Sequence, residues 1–285
     1  SRYIVATTDV SRGPLRELAD RQGYQSFVIP DDVGGRYSVL TPVGLLPAAV
    51  AGIDIQAVMA GAREMAELCR RDSLRENPAY LYAALQHLSY CAGRGVSVMN
   101  IWDKALEYVG FWYDQLCAES LGKQDQGRIP LTGVCTRDLH SRGQELQQGP
   151  RNTVITNLQI ERADRSLSLE ADAGDGDGLN YLAGTSLQHM LHQAAAGTNY
   201  AYARDSRPNL EIVLQDRSAF TLGAFFYLME VSTVAEGYLM GINPMDQPGV
   251  ESYKNFMFGL LGREDKRQYR DEFEQRPPRQ SKYSL

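Results

Sequence analysis

Glu119 is the first of four side chains in this sequence whose chemistry pulls against their surroundings. It follows Leu106, Val109, Trp112, Tyr113 and Leu116, and three residues beyond Leu116 it falls on the same helical stripe. A carboxylate short of water there, at the negative end of a helix stopped by Gly122, suits a general base that takes a proton and returns it. The plainer alternative is a helix-end glutamate turned to water or paired with Lys123. Lys254 lies four residues after Val250 on a stripe continued by Met257 and Leu261. Asp246 or Gln247 can cap that helix and Pro248 can open it. Its ammonium either follows the stem out to water or enters a pocket. His140 stands in the first turn of an expected helix with Asp138 as cap, where an imidazole can accept a proton from a hydroxyl. A hydrogen-bonded histidine on a helix face is the alternative. Arg36 follows Gly34-Gly35, so backbone can approach a ligand beside a permanent charge with a fork of donors. Read alone, that trio is also a glycine turn with a solvated arginine.

The elements that must position these residues alternate. Residues 2–7 read as a strand, 12–22 as a helix, 26–30 as a strand and 41–51 as a helix, the pattern of a parallel sheet flanked by helices. Arg36 then sits just past a strand's carboxyl end, where ligands bind in such sheets. Two strands cannot close such a sheet, so residues 1–72 look like the C-terminal part of a domain. A polar helical stretch, Gln56–Arg71, leads to a boundary near Arg71-Asp72-Ser73. A second unit, 73–262, follows: helix 78–91, strand 95–101, helix 103–118, strand material over 152–170 read as a hairpin, helix 179–196, strand 209–214, helix 221–240 and helix 249–261. Residues 263–285, rich in charge and proline, read as a surface arm.

Four segments closely resemble, in order, the signatures of the glucose-6-phosphate isomerase (phosphoglucose isomerase) family. They are Asp31–Gly44, Ala118–Lys123, Thr136–Ser141 and Gly241–Lys254. The resemblance runs from about Tyr3 to Gly262 and is closest to the shorter, bacterial-type members. It implies an α/β fold of sugar-isomerase (SIS) type, doubly wound with a mainly parallel sheet: one largely complete SIS domain preceded by the end of another. It also implies interconversion of glucose 6-phosphate and fructose 6-phosphate through a cis-enediol, a step of glycolysis and gluconeogenesis, with no cofactor. Glu119 would be the base, Arg36 would stabilise enediolate charge, and His140 and Lys254 would open the ring. Gly35, Arg36 and Gln247 would position substrate. His140 would reach the other subunit's site in a homodimer. Family members carry, upstream of the region matching Tyr3, a Ser/Thr-rich phosphate-binding loop that this sequence does not contain. The expectation is therefore a chain lacking the N-terminal half and inactive alone, whose strand edge near residues 2–7 invites association. A non-catalytic sugar-phosphate-binding or regulatory SIS module is the competing reading. Arg36, Glu119, His140 and Lys254 together weigh against it, because a binding module needs no base in its pocket.

The bulk numbers exclude other classes. At 285 residues and 43% hydrophobic content the chain can bury a substantial core. A net charge of -6 without a basic run argues against a nucleic-acid partner. No apolar run is long enough to span a bilayer. Cys69, Cys91, Cys117 and Cys135 are widely spaced among apolar neighbours, which suits reduced thiols in a cytoplasmic protein. His189 and His192 are three apart on one helix, but with no third ligand they read as a polar face, so no metal is expected. His87 has no partner and receives no role. The acidic tract Ala171–Gly178 places glycines where a calcium loop needs oxygen ligands, so it reads as a solvated turn.

Overall fold

The computed structural model describes residues 3–277. Its contacts divide the chain into one unit ending at Pro244 and a second beginning at Met245.

The first unit opens with β1 (Val5–Thr8), α1 (Pro14–Gln22) and β2 (Gln25–Val28), the two strands pairing in parallel. Helices α2 (Pro42–Val50), α3 (Ile55–Cys69) and α4 (Pro78–Cys91) follow. Sequence reading places all of these to within a few residues, because each carries its own start signal. Pro14, Pro42 and Pro78 stand in first turns, and Thr41, Asp54 and Asn77 accept hydrogen bonds from the exposed amides of their helices.

The main sheet is built from β3 (Val96–Ile101), β4 (Ile129–Val134), β5 (Thr153–Ile160) and β6 (Asn209–Leu214). All pairs are parallel, in the order β4-β3-β5-β6. Helix α5 (Glu107–Leu121) links β3 to β4, α6 (Arg142–Gln148) links β4 to β5, α7 (Leu187–Arg204) links β5 to β6, and α8 (Ala219–Leu239) follows β6. Both faces are covered. Met99, Ile101 and Leu158 pack beneath Tyr113 and Leu116 of α5 and Phe225 and Met229 of α8. Val98 and Ile155 pack on the other side with Leu146 of α6 and Tyr202 of α7. Burial on two sides is the usual state of a parallel sheet whose crossover helices lie on both faces.

Three sequence expectations fail here. Strand β4 goes unpredicted because Pro130 and Gly133 break its apolar pattern; an edge strand tolerates a proline, since one side of its backbone is unpaired. The expected hairpin over 152–170 is instead the single parallel strand β5. Beyond it Leu167 is exposed and only an isolated bridge, Ser168 to Ser186, forms. The expected helix 179–196 is a short 3-10 turn, Asn180–Leu182, followed by α7, which starts where Ser186 accepts the amide of His189.

Helices α3 and α8 approach so closely that neither contact point has room for a side chain. A Cβ on Gly61 would lie 1.8 Å from the Phe220 carbonyl oxygen, and one on Gly223 would lie 1.9 Å from that of Val58. Gly61→Ala is expected to separate the helices and to destabilise the fold by about 2 kcal/mol or more, despite the better helix propensity of alanine. Chemical denaturation measures this, and a neutral or stabilising result would refute the close packing.

The second unit contains α9 (Pro248–Leu260) and α10 (Arg267–Glu274). They pack through Phe256 edge-on to Tyr269, with ring centroids 5.3 Å apart, and through Gly259, where a Cβ would meet the Lys266 carbonyl at 2.5 Å. Helix α10 lies in the stretch read as an arm. Its apolar face is only Tyr269 and Phe273, four residues apart among charged neighbours, which sequence reading passes over.

Candidate functional site

A 3-10 turn, Gly35–Tyr37, carries Arg36 inward until only 3% of it is exposed. A guanidinium buried that deeply needs oxygen partners, and it has them. Its Nε donates to Ser120 Oγ at 2.7 Å and its Nη2 donates to the Pro244 carbonyl at 2.6 Å. Its Nη1 lies 3.5 Å from Glu119 Oε2. Tyr37 completes the cradle, its hydroxyl 2.8 Å from Ser120 Oγ and its ring 5.2 Å from the guanidinium carbon. Burial, opposed by the bond to Ser120, pushes the Tyr37 phenol above its ordinary range, so it stays neutral. Beside these, Lys123 at the end of α5 donates to the Asn243 carbonyl at 2.6 Å.

Glu119 sits in the last turn of α5, and Gln115 Nε2 donates to its Oε1 at 2.8 Å. Its side chain is 32% exposed, so the expected greasy setting is replaced by a half-open one with a paired cation. The apolar stripe itself exists, with Leu106, Tyr113 and Leu116 buried, but Glu119 emerges from its end. Geometrically, a buried, oriented positive charge touches a solvent-accessible carboxylate. That pair can hold an anionic oxygen while a proton moves beside it. Gly35 leaves open space where a side chain would project, as a backbone meant to approach a ligand requires.

Sequence reading brings Arg36 and Glu119 forward but misses Ser120, Tyr37 and the Pro244 carbonyl. Ser120 is next to Glu119 and meets the same guanidinium, but no periodicity distinguishes a serine that holds an arginine from one that fills a core.

His140 closes the 3-10 turn Arg137–His140 and is exposed; it does not open a helix. Asp138 does not cap that helix either. It accepts the amide of Val134 at 2.8 Å and binds Arg137, and the Arg137 bond foremost holds its carboxyl down at about 2. Because His140 follows the carboxyl end of β4 while Glu119 precedes its amino end, the two lie toward opposite ends of the sheet's strands.

In the second unit, Gln247 is the residue before α9, without a side-chain cap bond, and Lys254 Nζ pairs with Glu251 Oε1 at 2.9 Å. The stripe expected to face inward does not: Met257 is exposed and Leu261 is 77% exposed.

The remaining candidates have structural partners. His192 Nε2 lies 2.8 Å from the Ile160 carbonyl, and His87 lies 3.5 Å from Cys91 Sγ. No group of three metal-binding side chains forms among the described residues. In the acidic tract, Asp175 and Asp177 accept the loop's own amides from Asn180 and Leu179. All four cysteines are free, and Cys91 is exposed rather than packed among apolar neighbours. Among the described residues no helix is long and apolar enough to cross a membrane.

The sequence model of the phosphoglucose isomerase family matches residues 19–139. Glucose-6-phosphate isomerase of Exiguobacterium sibiricum is 47% identical over 260 residues, covering 91% of this chain and 58% of that protein. The Heliobacterium modesticaldum enzyme of that name is 44% identical, covering 98% and 62%. A hypothetical protein from Thermus thermophilus superposes with a TM-score of 0.87 at 32% identity, covering 92% of this chain and 63% of the other. A Chlamydia trachomatis glucose-6-phosphate isomerase, 22% identical, shares the fold at a TM-score of 0.80, covering 95% and 55%. The chain thus spans about three fifths of the length of the curated relatives it matches. What it resembles, in sequence along nine-tenths of its own length, is the phosphoglucose isomerase family.

Proposed function

We propose that this chain supplies the base-bearing portion of an aldose–ketose isomerase that interconverts glucose 6-phosphate and fructose 6-phosphate. The observation that carries this reading is the 3.5 Å contact between buried Arg36 and half-exposed Glu119. In the proposed reaction Glu119 takes the proton from C2 of the open-chain aldose and delivers it to C1. Arg36 stabilises the negative charge developing on the enediolate oxygens, at no cost in reorganisation because Ser120 and Pro244 already hold it. His140 and Lys254 are assigned to ring opening, and Gly35 and Gln247 to positioning the substrate. No cofactor enters this chemistry.

The place of His140, at the strand ends opposite Glu119, supports its service to a second subunit in a symmetric homodimer. Residues 1–72 are proposed as the end of one SIS domain and 73–262 as a second, with 263–285 an arm. The two separate parallel sheets support that division. Free cysteines, one of them exposed, suit a cytoplasmic setting.

The test supplies the upstream portion from the Exiguobacterium relative as a fusion and follows fructose 6-phosphate in D2O. The fusion is expected to turn over and to place solvent deuterium at C2 of part of the glucose 6-phosphate, because a carboxylate base exchanges its proton with water between turnovers. The 285-residue chain alone is expected to show no turnover. Full activity from the chain alone, or turnover without any solvent hydrogen in the product, overturns the proposal.

A further inference from the structure

The carboxyl ends of β3, β4 and β5 surround a cavity of about 400 Å³. The strand order makes this a switch point. From β3 the chain moves outward to β4, then crosses back to β5 on the other side of β3. Helix α5 leaves β3 onto one face of the sheet and α7 leaves β5 onto the other, as their separate packing clusters show. A crevice therefore opens between the carboxyl ends of β3 and β5, the place where open parallel sheets take ligands.

The lining is chemically divided. One wall is apolar, with Leu187 and Leu191 on α7 and Leu167 from the segment before it. The other offers the Thr136 hydroxyl past β4, the Gln159 amide at the end of β5, and the Arg165 guanidinium. Asp103, the carboxylate among the lining residues, is engaged by the amide of Ala105 at 2.9 Å and by Arg217 at 3.5 Å, an arginine that also pairs with Asp164. Lys104 is paired with Glu107. Arg165, an exposed residue on the rim of the crevice, forms no ion pair among the described residues, so its guanidinium is available to a ligand there. Cys135, also on the lining, is pushed up to about 12 by burial, so it is a closed thiol and not a nucleophile.

We propose that this crevice is a second ligand site that binds a small phosphate ester. The phosphate takes the Arg165 fork. Hydroxyls on the ligand's body meet Thr136 and Gln159, and its carbon skeleton lies on the leucine wall. The volume admits a skeleton of roughly three to six carbons with its phosphate. This inference does not rest on the isomerase reading, because none of its residues belongs to the Arg36–Glu119 pair.

The test is methyl NMR of the 285-residue chain with labelled leucines, titrated with sn-glycerol 3-phosphate, inorganic phosphate and glycerol. The ester is expected to shift the Leu167, Leu187 and Leu191 methyls saturably, phosphate alone more weakly, and glycerol not at all. Arg165→Gln should raise Kd for the ester by about tenfold, as loss of a charged hydrogen bond predicts. Gln159→Leu should raise it a few-fold, and it stands as the second variant if the first does not fold. No saturable shift, glycerol or phosphate binding as tightly as the ester, or both variants binding as the parent does would each overturn the site.

Discussion

Glu119→Gln in the proposed isomerase, with the upstream portion supplied, is expected to lower kcat by about 10²–10⁴-fold, the contribution typical of a positioned general base, with KM nearly unchanged. The expectation follows from what the substitution keeps. A glutamine retains the shape and can keep its one oxygen toward Arg36, at 3.5 Å in the parent, while the Gln115 amide turns over so that its oxygen accepts from the new NH2, so the substrate cradle survives. It loses the negative charge beside Arg36 and the ability to accept a proton. The effect should therefore fall on the step that moves hydrogen between C2 and C1. Deuterium exchange into unreacted fructose 6-phosphate should vanish together with turnover. Titration calorimetry with fructose 6-phosphate is the control, and the affinity should stay within about threefold. A variant that binds and still exchanges would remove Glu119 from the chemistry. One that loses affinity and turnover equally would make it a binding residue instead, which is what a non-catalytic sugar-phosphate module requires.

How much of this was legible in the sequence depends on how local the cause is. Helices α1 to α4 announce themselves through caps and first-turn prolines, and β3 and β6 through short apolar runs between breakers. Strand β4 was hidden because its edge position, which excuses Pro130, is a property of the assembled sheet. The Arg36–Glu119 pair joins residues 83 positions apart, and periodicity could place each near a ligand-binding spot but not against the other. The same limit made Glu119 look more buried than it is: a stripe predicts a direction, while exposure depends on where neighbouring segments stop. Met257 and Leu261 erred the same way, since an apolar stripe signals a buried face only if another element covers it.

A larger effect on stability is expected from a pair that no motif marks. Arg128 at the entrance to β4 and Glu236 on α8 are 3% and 2% exposed. They form a bidentate bridge, Nε to Oε1 at 2.6 Å and Nη2 to Oε2 at 2.5 Å. Burial opposes the guanidinium's charge, but the Glu236 carboxylate outweighs that and raises the Arg128 pKa. Arg128→Ala leaves a carboxylate in the core with neither partner nor water, at a cost of about 3–5 kcal/mol. For a chain of this size that lowers Tm by roughly 10 °C. Arg128→Met with Glu236→Leu removes both charges and keeps the volume, and should recover most of that loss, because the pair's attraction is largely spent on its own desolvation. Arg128 Nη1, buried with no partner atom among the described residues, adds to what the native pair must offset. Thermal denaturation of the two variants beside the parent measures the difference. If the double variant is no more stable than Arg128→Ala, packing and not the stranded charge sets the cost. The bridge also ties the end of α8 to the sheet only a few residues before Asn243 and Pro244, which receive Lys123 and Arg36. The single variant should therefore loosen the Arg36 cradle at temperatures well below its unfolding. Hydrogen exchange at the backbone amides of Ile242 and Asn243 would register that loosening, and the double variant should restore their protection.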